Sequence, residues 1–473
     1  MRFLITIFLF LYQATAFSQT TVIYGTAKKY KGETIIFYEF IDKIIDTRNE
    51  IFLIIPDDNG DFNVEIELTN TKFLVTEYGA LTYYFYAEPG KTYKISLPDP
   101  QLKSPAQEAN PFFIPSLVHL EVASVNNITN EDCLELNNGI LQFDNIFESF
   151  YNKQILRYYS TIQNRSKLDS FNIALKSFKP VCNSAFYNDY VNYKNGILEF
   201  TVNQFNLDYL INKYFTDKPV LLSNPSWWIL FDKVYDKYFS FLANQQEFNN
   251  IYRIITSSDY FALENLLIKE KSLRNDTLRE LILIREINSE FFQGSFSQNV
   301  LTALLDSVAE ASEIQLSRNL AMEVKSRNTR LLPGSAAPSF LVTDQNGNVH
   351  KLEDFKGKYI YLGFCIPNSV NCMKEFEYLR YLERKFNKQL SIITVFDNIS
   401  SDDHKLFVEQ YNYPWHVTRN MEKGFLYKDY NVRAIPLFFL IAPDGTLLLS
   451  PAPAPSEGFE QNLVSYMRRR GDI

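Results

Sequence analysis

Tyr361-Leu362-Gly363-Phe364-Cys365-Ile366-Pro367-Asn368-Ser369-Val370-Asn371-Cys372-Met373-Lys374-Glu375 packs a strand, a turn and a helix start into one short stretch. The apolar run at its beginning predicts a buried strand, and the spacing at its end opens a helical pattern. The turn between them carries two of the four cysteines, Cys365 and Cys372. A cysteine at a helix start meets unpaired N–H groups and partial positive charge, and both favour a thiolate. A strand, a turn and a helix in this order predict an α/β layer with candidate thiol chemistry at its edge.

Around this stretch, strands and helices alternate. Short strands are expected at 340–343, 349–352, 359–364, 390–396, 437–441 and 446–449. Helices are expected at 370–385, 402–411 and 456–470, which together make an α/β sheet over 331–473. Upstream the pattern is different. Seven short runs rich in Ile, Val, Phe, Tyr and Thr lie between Thr21 and Leu97, separated by turns such as Asp57-Asp58-Asn59-Gly60, and predict a small antiparallel β-sandwich over 19–100. That acidic turn lacks the ligand spacing and final Glu of an EF-hand, so an ordinary hairpin is expected. Five prolines between Pro98 and Pro115 read as a linker. A helical period then runs from Asn130 to about Thr329, within a helical domain expected over 101–330, with Leu134, Leu141, Phe143, Ile146 and Phe150 as one example and Ser297 as an expected N-cap. Trp227-Trp228 is read as core packing rather than an aromatic platform. The fold class is a multidomain α+β chain: β-sandwich, helical middle region and α/β domain.

Composition narrows the function. With 46% hydrophobic and 22% charged residues over 473 positions, packed domains are expected rather than disorder. The net charge of −8 argues against a nucleic-acid partner. Arg2, the apolar run Phe3 to Leu11 and Ala14-Thr15-Ala16 read as a cleaved signal peptide over 1–18, too short to span a bilayer. No transmembrane anchor is expected after cleavage. Export would place Cys133, Cys182, Cys365 and Cys372 where disulfides persist, with three pairings possible. A structural Cys133–Cys182 bridge and two free buried cysteines are equally open. No His, Cys and carboxylate cluster has metal-ligand spacing, so neither metal nor cofactor is expected, and none of the four histidines stands out as a base.

The C-terminal region resembles the extracytoplasmic TlpA-like proteins of the thioredoxin fold, related to the AhpC/TSA group. Gly334-Ser335-Ala336-Ala337-Pro338-Ser339-Phe340, then Asp354-Phe355-Lys356-Gly357-Lys358, then Ala434-Ile435-Pro436 with Pro443-Asp444-Gly445 carry the likeness over about 140 residues. The order of the three parts resembles secreted multidomain forms from Bacteroidetes-type bacteria. The family's turn reads Phe-Trp-Ala-x-Trp-Cys-x-x-Cys-x-x-Glu. On it, Phe364 falls on the Phe, Cys365 on the first aromatic, Ser369 on the attacking Cys, Cys372 on the second Cys and Glu375 on the acid. Gly363 stands where cytoplasmic thioredoxins often place a buried Asp.

The resemblance implies a degenerate Ser-x-x-Cys site. Dithiol exchange needs one sulfur to attack and a second to resolve, and a serine hydroxyl cannot attack a disulfide. Three readings follow. Cys372 works alone or with Cys365, with Glu375 one turn away as proton shuttle or as a charge that raises the thiol's pKa. Alternatively the site is catalytically silent and Ile435-Pro436, if cis, offers backbone to an extended peptide or envelope protein. A peroxidatic Cys372 is disfavoured, because Pro367 to Cys372 lacks the Pro-x-x-x-Thr-x-x-Cys spacing. The bland alternative is that both cysteines are small buried hydrophobes. The expected location is the periplasm or cell envelope of a Gram-negative bacterium.

Overall fold

The computed structural model describes residues 18–104, 107, 113–124, 134–151, 181, 184–202, 206–396, 399–420, 425–432 and 434–473. The signal-like segment, Cys133 and Cys182 lie outside the described residues. The chain divides into two compact units. One holds the N-terminal sheets and the helices up to Glu286, and the other holds Ile287–Ile473 with two short earlier segments.

In the first unit, two sheets face each other. Strands β1 (Gln19–Thr26), β2 (Ile35–Phe40), β3 (Arg48–Ile54), β4 (Asp61–Leu68), β5 (Lys72–Tyr78), β6 (Leu81–Ala87) and β7 (Thr92–Ser96) fall on the seven expected runs. With β8 (Ser116–His119) and β9 (Glu121–Ser124) added, their sheet orders are β4-β1-β7-β9 and β3-β2-β5-β6-β8. Alternate residues turn inward, so Ile23, Phe37, Leu74, Phe85 and Tyr93 fill one apolar core. The two outer strands β8 (Ser116–His119) and β9 (Glu121–Ser124) come from beyond the prolines, inside the region expected to be helical. Four residues each are too short for alternation to register. The acidic turn is not the expected hairpin, because β3 and β4 belong to different sheets; it is a tight corner between the sheets, in which Asp57 Oδ1 accepts the N–H groups of Asn59 at 2.8 Å and Asp61 at 2.9 Å and Gly60 supplies the positive φ. Helices α1 (Leu136–Phe150), α2 (Ala185–Val202), α3 (Leu207–Tyr214), α4 (Pro225–Val234), α5 (Tyr238–Ala243), α6 (Ile251–Thr256) and α7 (Tyr260–Leu267) follow. In α1 the buried face is Leu136, Ile140, Phe143, Phe147 and Phe150, and Leu141 is exposed, one position off the expected register. Trp227 and Trp228 are buried in α4 as core.

Helix α8 (Asp276–Glu290) precedes the antiparallel pair α9 (Gln298–Ala311) and α10 (Gln315–Thr329), and Ser297 caps α9 through its hydroxyl to Val300 N. The second unit then builds a mixed sheet from β10 (Leu341–Thr343), β11 (Val349–Lys351), β12 (Tyr359–Cys365), β13 (Leu390–Phe396), β14 (His416–Asn420), β15 (Leu437–Ile441) and β16 (Leu447–Ala452). The order is β11-β10-β14-β13-β12-β15-β16, with β12 parallel to β13 and antiparallel to β15. Strand β12 is therefore central and buried on both faces, as its continuous apolar run requires. Helices α11 (Val370–Phe386), α12 (Ser401–Tyr411), α13 (Phe425–Asp429) and α14 (Phe459–Arg470) flank the sheet. The last helix begins three residues later than expected, because Gly458 at φ +81 separates it from the short turn Pro455–Glu457.

Candidate functional site

The site forms where β12 runs out into α11. Residues alternate along β12, so Phe364 packs in the apolar cluster on one face of the sheet while Cys365 packs in the cluster on the other. Helix α11 lies on the Cys365 side. Its buried positions Cys372, Glu375, Phe376, Leu379, Leu382 and Phe386 recur at helical spacing.

The connecting turn has a sequence reason for its shape. Pro367 and Asn368 are its central residues, Asn368 adopts φ +58, and Ser369 N donates to Ile366 O at 3.3 Å. Proline followed by a residue that tolerates positive φ is the pattern of a type II turn. The turn places Ser369 at the N-cap of α11, half-buried, and its hydroxyl does not cap the helix. Its influence falls on Cys372 instead, whose thiolate it favours.

Three groups favour the Cys372 thiolate. The Cys365 thiol contributes most, followed by the Ile366 N–H, 3.4 Å from Cys372 Sγ, and then the Ser369 hydroxyl. Together they outweigh burial and the nearby Glu375 charge, and bring the Cys372 pKa down to about 7. Cys365 shows the opposite effect. Complete burial, reinforced by the neighbouring Cys372, pushes its pKa well above the ordinary thiol value. Both cysteines are fully buried.

Glu375 is buried and committed to a different partner. Its carboxylate accepts Ser456 N at 2.9 Å and Ser456 Oγ at 2.7 Å, fixing the turn before α14 to α11. Nothing in the sequence links Ser456 to Glu375, which lies far upstream. Gly363 is tightly filled: a Cβ there would lie 2.6 Å from the Phe438 ring. The buried acid that cytoplasmic thioredoxins often carry has no room at this position.

The Ile435–Pro436 bond is cis. Register Phe364↔Leu437 puts Pro436 across from Cys365, so Ile435 and Pro436 flank the same turn. The structure therefore gathers Cys365, Ser369 and Cys372 around one sulfur, sets Ile435–Pro436 beside them and turns Glu375 to Ser456. The histidines contribute elsewhere; the buried His404 pairs Nε2 with Val417 O at 3.1 Å. Among the described residues no three His, Cys, Asp or Glu side chains are grouped to hold a metal ion.

A family model described as the AhpC/TSA family matches residues 333–449. Thiol-disulfide oxidoreductase ResA of Bacillus cereus is 31% identical over 145 residues, which cover 30% of this chain and 82% of that protein. ResA of Bacillus subtilis is 32% identical over 116 residues, covering 24% of this chain and 64% of its own length. Among solved structures, a thiol:disulfide interchange protein from a Bacteroides species is 28% identical, covers 25% of this chain and 80% of its own, and has a TM-score of 0.23. The thioredoxin domain of a Bacteroides vulgatus thiol-disulfide oxidoreductase is 24% identical, covers 28% and 97%, and has a TM-score of 0.26.

Proposed function

The chain belongs, through its C-terminal domain, to the TlpA-like thioredoxin-fold proteins of the AhpC/TSA family, and from that premise we propose an exported thiol-disulfide oxidoreductase relative in which reduction of protein disulfides is weak or lost. One observation carries this reading. The helix-start position that presents the attacking sulfur holds the hydroxyl of Ser369, and the nearest sulfur, Cys372, has no exposed surface. A protein disulfide brought to this turn meets a serine, which forms no mixed disulfide. Cys372 is then the thiol through which any surviving chemistry runs, with Cys365 and Ser369 as groups that favour its thiolate. Glu375 acts by holding Ser456 and by its charge, rather than as a free shuttle.

Export to the periplasm or cell envelope of a Gram-negative bacterium rests on Arg2, the apolar run 3–11 and the small-residue motif at 14–16. No helix among the described residues is long and apolar enough to cross a membrane. We further propose that 19–100, 101–330 and 331–473 are successive structural segments, with the sandwich completed by strands that follow the proline-rich stretch.

A second reading is a non-catalytic protein that binds an extended peptide or envelope protein beside the turn, where the β12–β15 register sets Ile435 and Pro436 next to the strand end. Turnover of a model protein disulfide with a small reductant separates the two from ordinary catalysis. The wild type is expected to remain at the uncatalysed rate. Robust reduction that disappears in Cys372→Ser would overturn the proposal.

A further inference from the structure

In a two-cysteine site, the sulfur that attacks and the sulfur that resolves are told apart by their surroundings. Here the surroundings are unequal. Cys365 ends a strand clamped in register on both sides, with Cys365 opposite Phe396 on β13 and Phe364 opposite Leu437 on β15. Cys372 sits in the first turn of α11, under a four-residue turn rather than under a sheet. Ile366 N lies 3.4 Å from Cys372 Sγ and is bonded directly to the Cys365 carbonyl carbon. Bond lengths then hold Cys372 Sγ within about 6 Å of the Cys365 Cα. The two side chains share one apolar cluster.

We propose that Cys365 is the resolving thiol for Cys372, an inverted pair in which the inner helix cysteine attacks and the strand-end cysteine closes the disulfide, with low-molecular-weight disulfides as the co-substrate class. The inference rests on the reading that Ser369 has removed the outer sulfur. The Cys372 thiolate attacks one sulfur of R–S–S–R; the S–S bond breaks, and RS⁻ leaves and takes a proton from solvent. The Cys365 sulfur then attacks Cys372 as its proton passes to the second departing RS⁻. A Cys365–Cys372 bond forms and the Cys372–SR bond breaks. Two protein thiols are oxidised by two electrons to one disulfide, and R–S–S–R is reduced to two RSH. The unequal acidities agree with these roles, since Cys372 supplies the thiolate and Cys365 keeps its proton until the second step. Full burial sets the size limit: a small disulfide needs less of the surface over Cys372 to give way than a protein disulfide does.

The test uses the intact chain and oxidised glutathione as the probe, followed by acid quench, alkylation under denaturing conditions and peptide mapping by mass spectrometry. The wild type should yield a linked Cys365–Cys372 peptide with little lasting adduct. Cys365→Ser and Cys365→Ala should each trap glutathione on Cys372, about tenfold above the wild type, because no second sulfur releases it. Equal adduct levels in wild type and variants would overturn the proposal, as would a wild-type Cys372 that stays unreacted and alkylates only after unfolding. If both variants fail to fold by circular dichroism, presence or absence of the linked peptide in the wild type decides. The protein-disulfide assay is independent. Robust turnover there would sink the proposed function and leave the linked peptide as the test of Cys365. A silent assay with no linked peptide would do the reverse.

Discussion

Cys365→Ala removes one sulfur and one S–H donor, and should make Cys372 a weaker acid. The Cys365 thiol is the largest of the influences that bring Cys372 down to about 7. A hydrogen bond to a charged acceptor contributes about 1.5–3 kcal/mol, and about 1.4 kcal/mol corresponds to one pKa unit. The Ile366 N–H and Ser369 hydroxyl remain, so the loss is one group of three. The expected rise is about one to two units, which takes the midpoint to about 8 or 9. At neutral pH the thiolate fraction should fall from about one half to about a tenth or less. Thiolate ultraviolet absorbance reads this without requiring reagent access to a buried atom. Subtracting a Cys372→Ser titration removes the tyrosines and the other cysteines. Cys365→Ser, which keeps an O–H donor, should move the midpoint less than Cys365→Ala. A midpoint unchanged by Cys365→Ala, or a wild-type midpoint at the ordinary thiol value, would refute the three-group account of the Cys372 thiolate.

Glu375→Gln should destabilise the C-terminal unit by about 1–2 kcal/mol, since one acceptor oxygen toward Ser456 and its charge are lost; calorimetry of the intact chain reads this as a lowered transition. The same change should lower the Cys372 midpoint, because the carboxylate charge disfavours the neighbouring thiolate. Gly363→Asp should be severely destabilising, about 3 kcal/mol or more, because the new side chain meets the Phe438 ring and buries an unpaired charge. Soluble Gly363→Asp protein with an unshifted transition would contradict the packing described for that position.

The fold was legible where side-chain periodicity is strong. The seven N-terminal runs and the central strand β12 follow from alternation or continuous apolar character, and Ser297 caps its helix as its position before the apolar pattern implies. Strand β14 escaped notice because His416, Thr418, Arg419 and Asn420 are polar or charged, and pairing rather than hydrophobicity places them. Strands β8 and β9 escaped because they are short and follow five prolines. At the site, the motif alignment located Ser369, Cys372 and Glu375 on one helix start. It did not give their directions. The meeting of Cys365 with Cys372 depends on Asn368 taking a positive φ, which folds the turn back over the strand end. The turning of Glu375 toward Ser456 depends on a tertiary contact between distant segments, for which a linear motif carries no signal.

The measurement closest to the central claim compares the wild type with Ser369→Cys in reduction of a model protein disulfide. The substitution places a sulfur at the half-buried helix start, one turn from Cys372, on an otherwise intact thioredoxin-like frame. Turnover near the uncatalysed rate in the wild type, with clear catalysis in Ser369→Cys that is lost again on adding Cys372→Ser, is the predicted result. Efficient turnover by the wild type, or continued silence of Ser369→Cys with both cysteines reduced and the protein folded, would contradict the claim that the serine is what holds this site back.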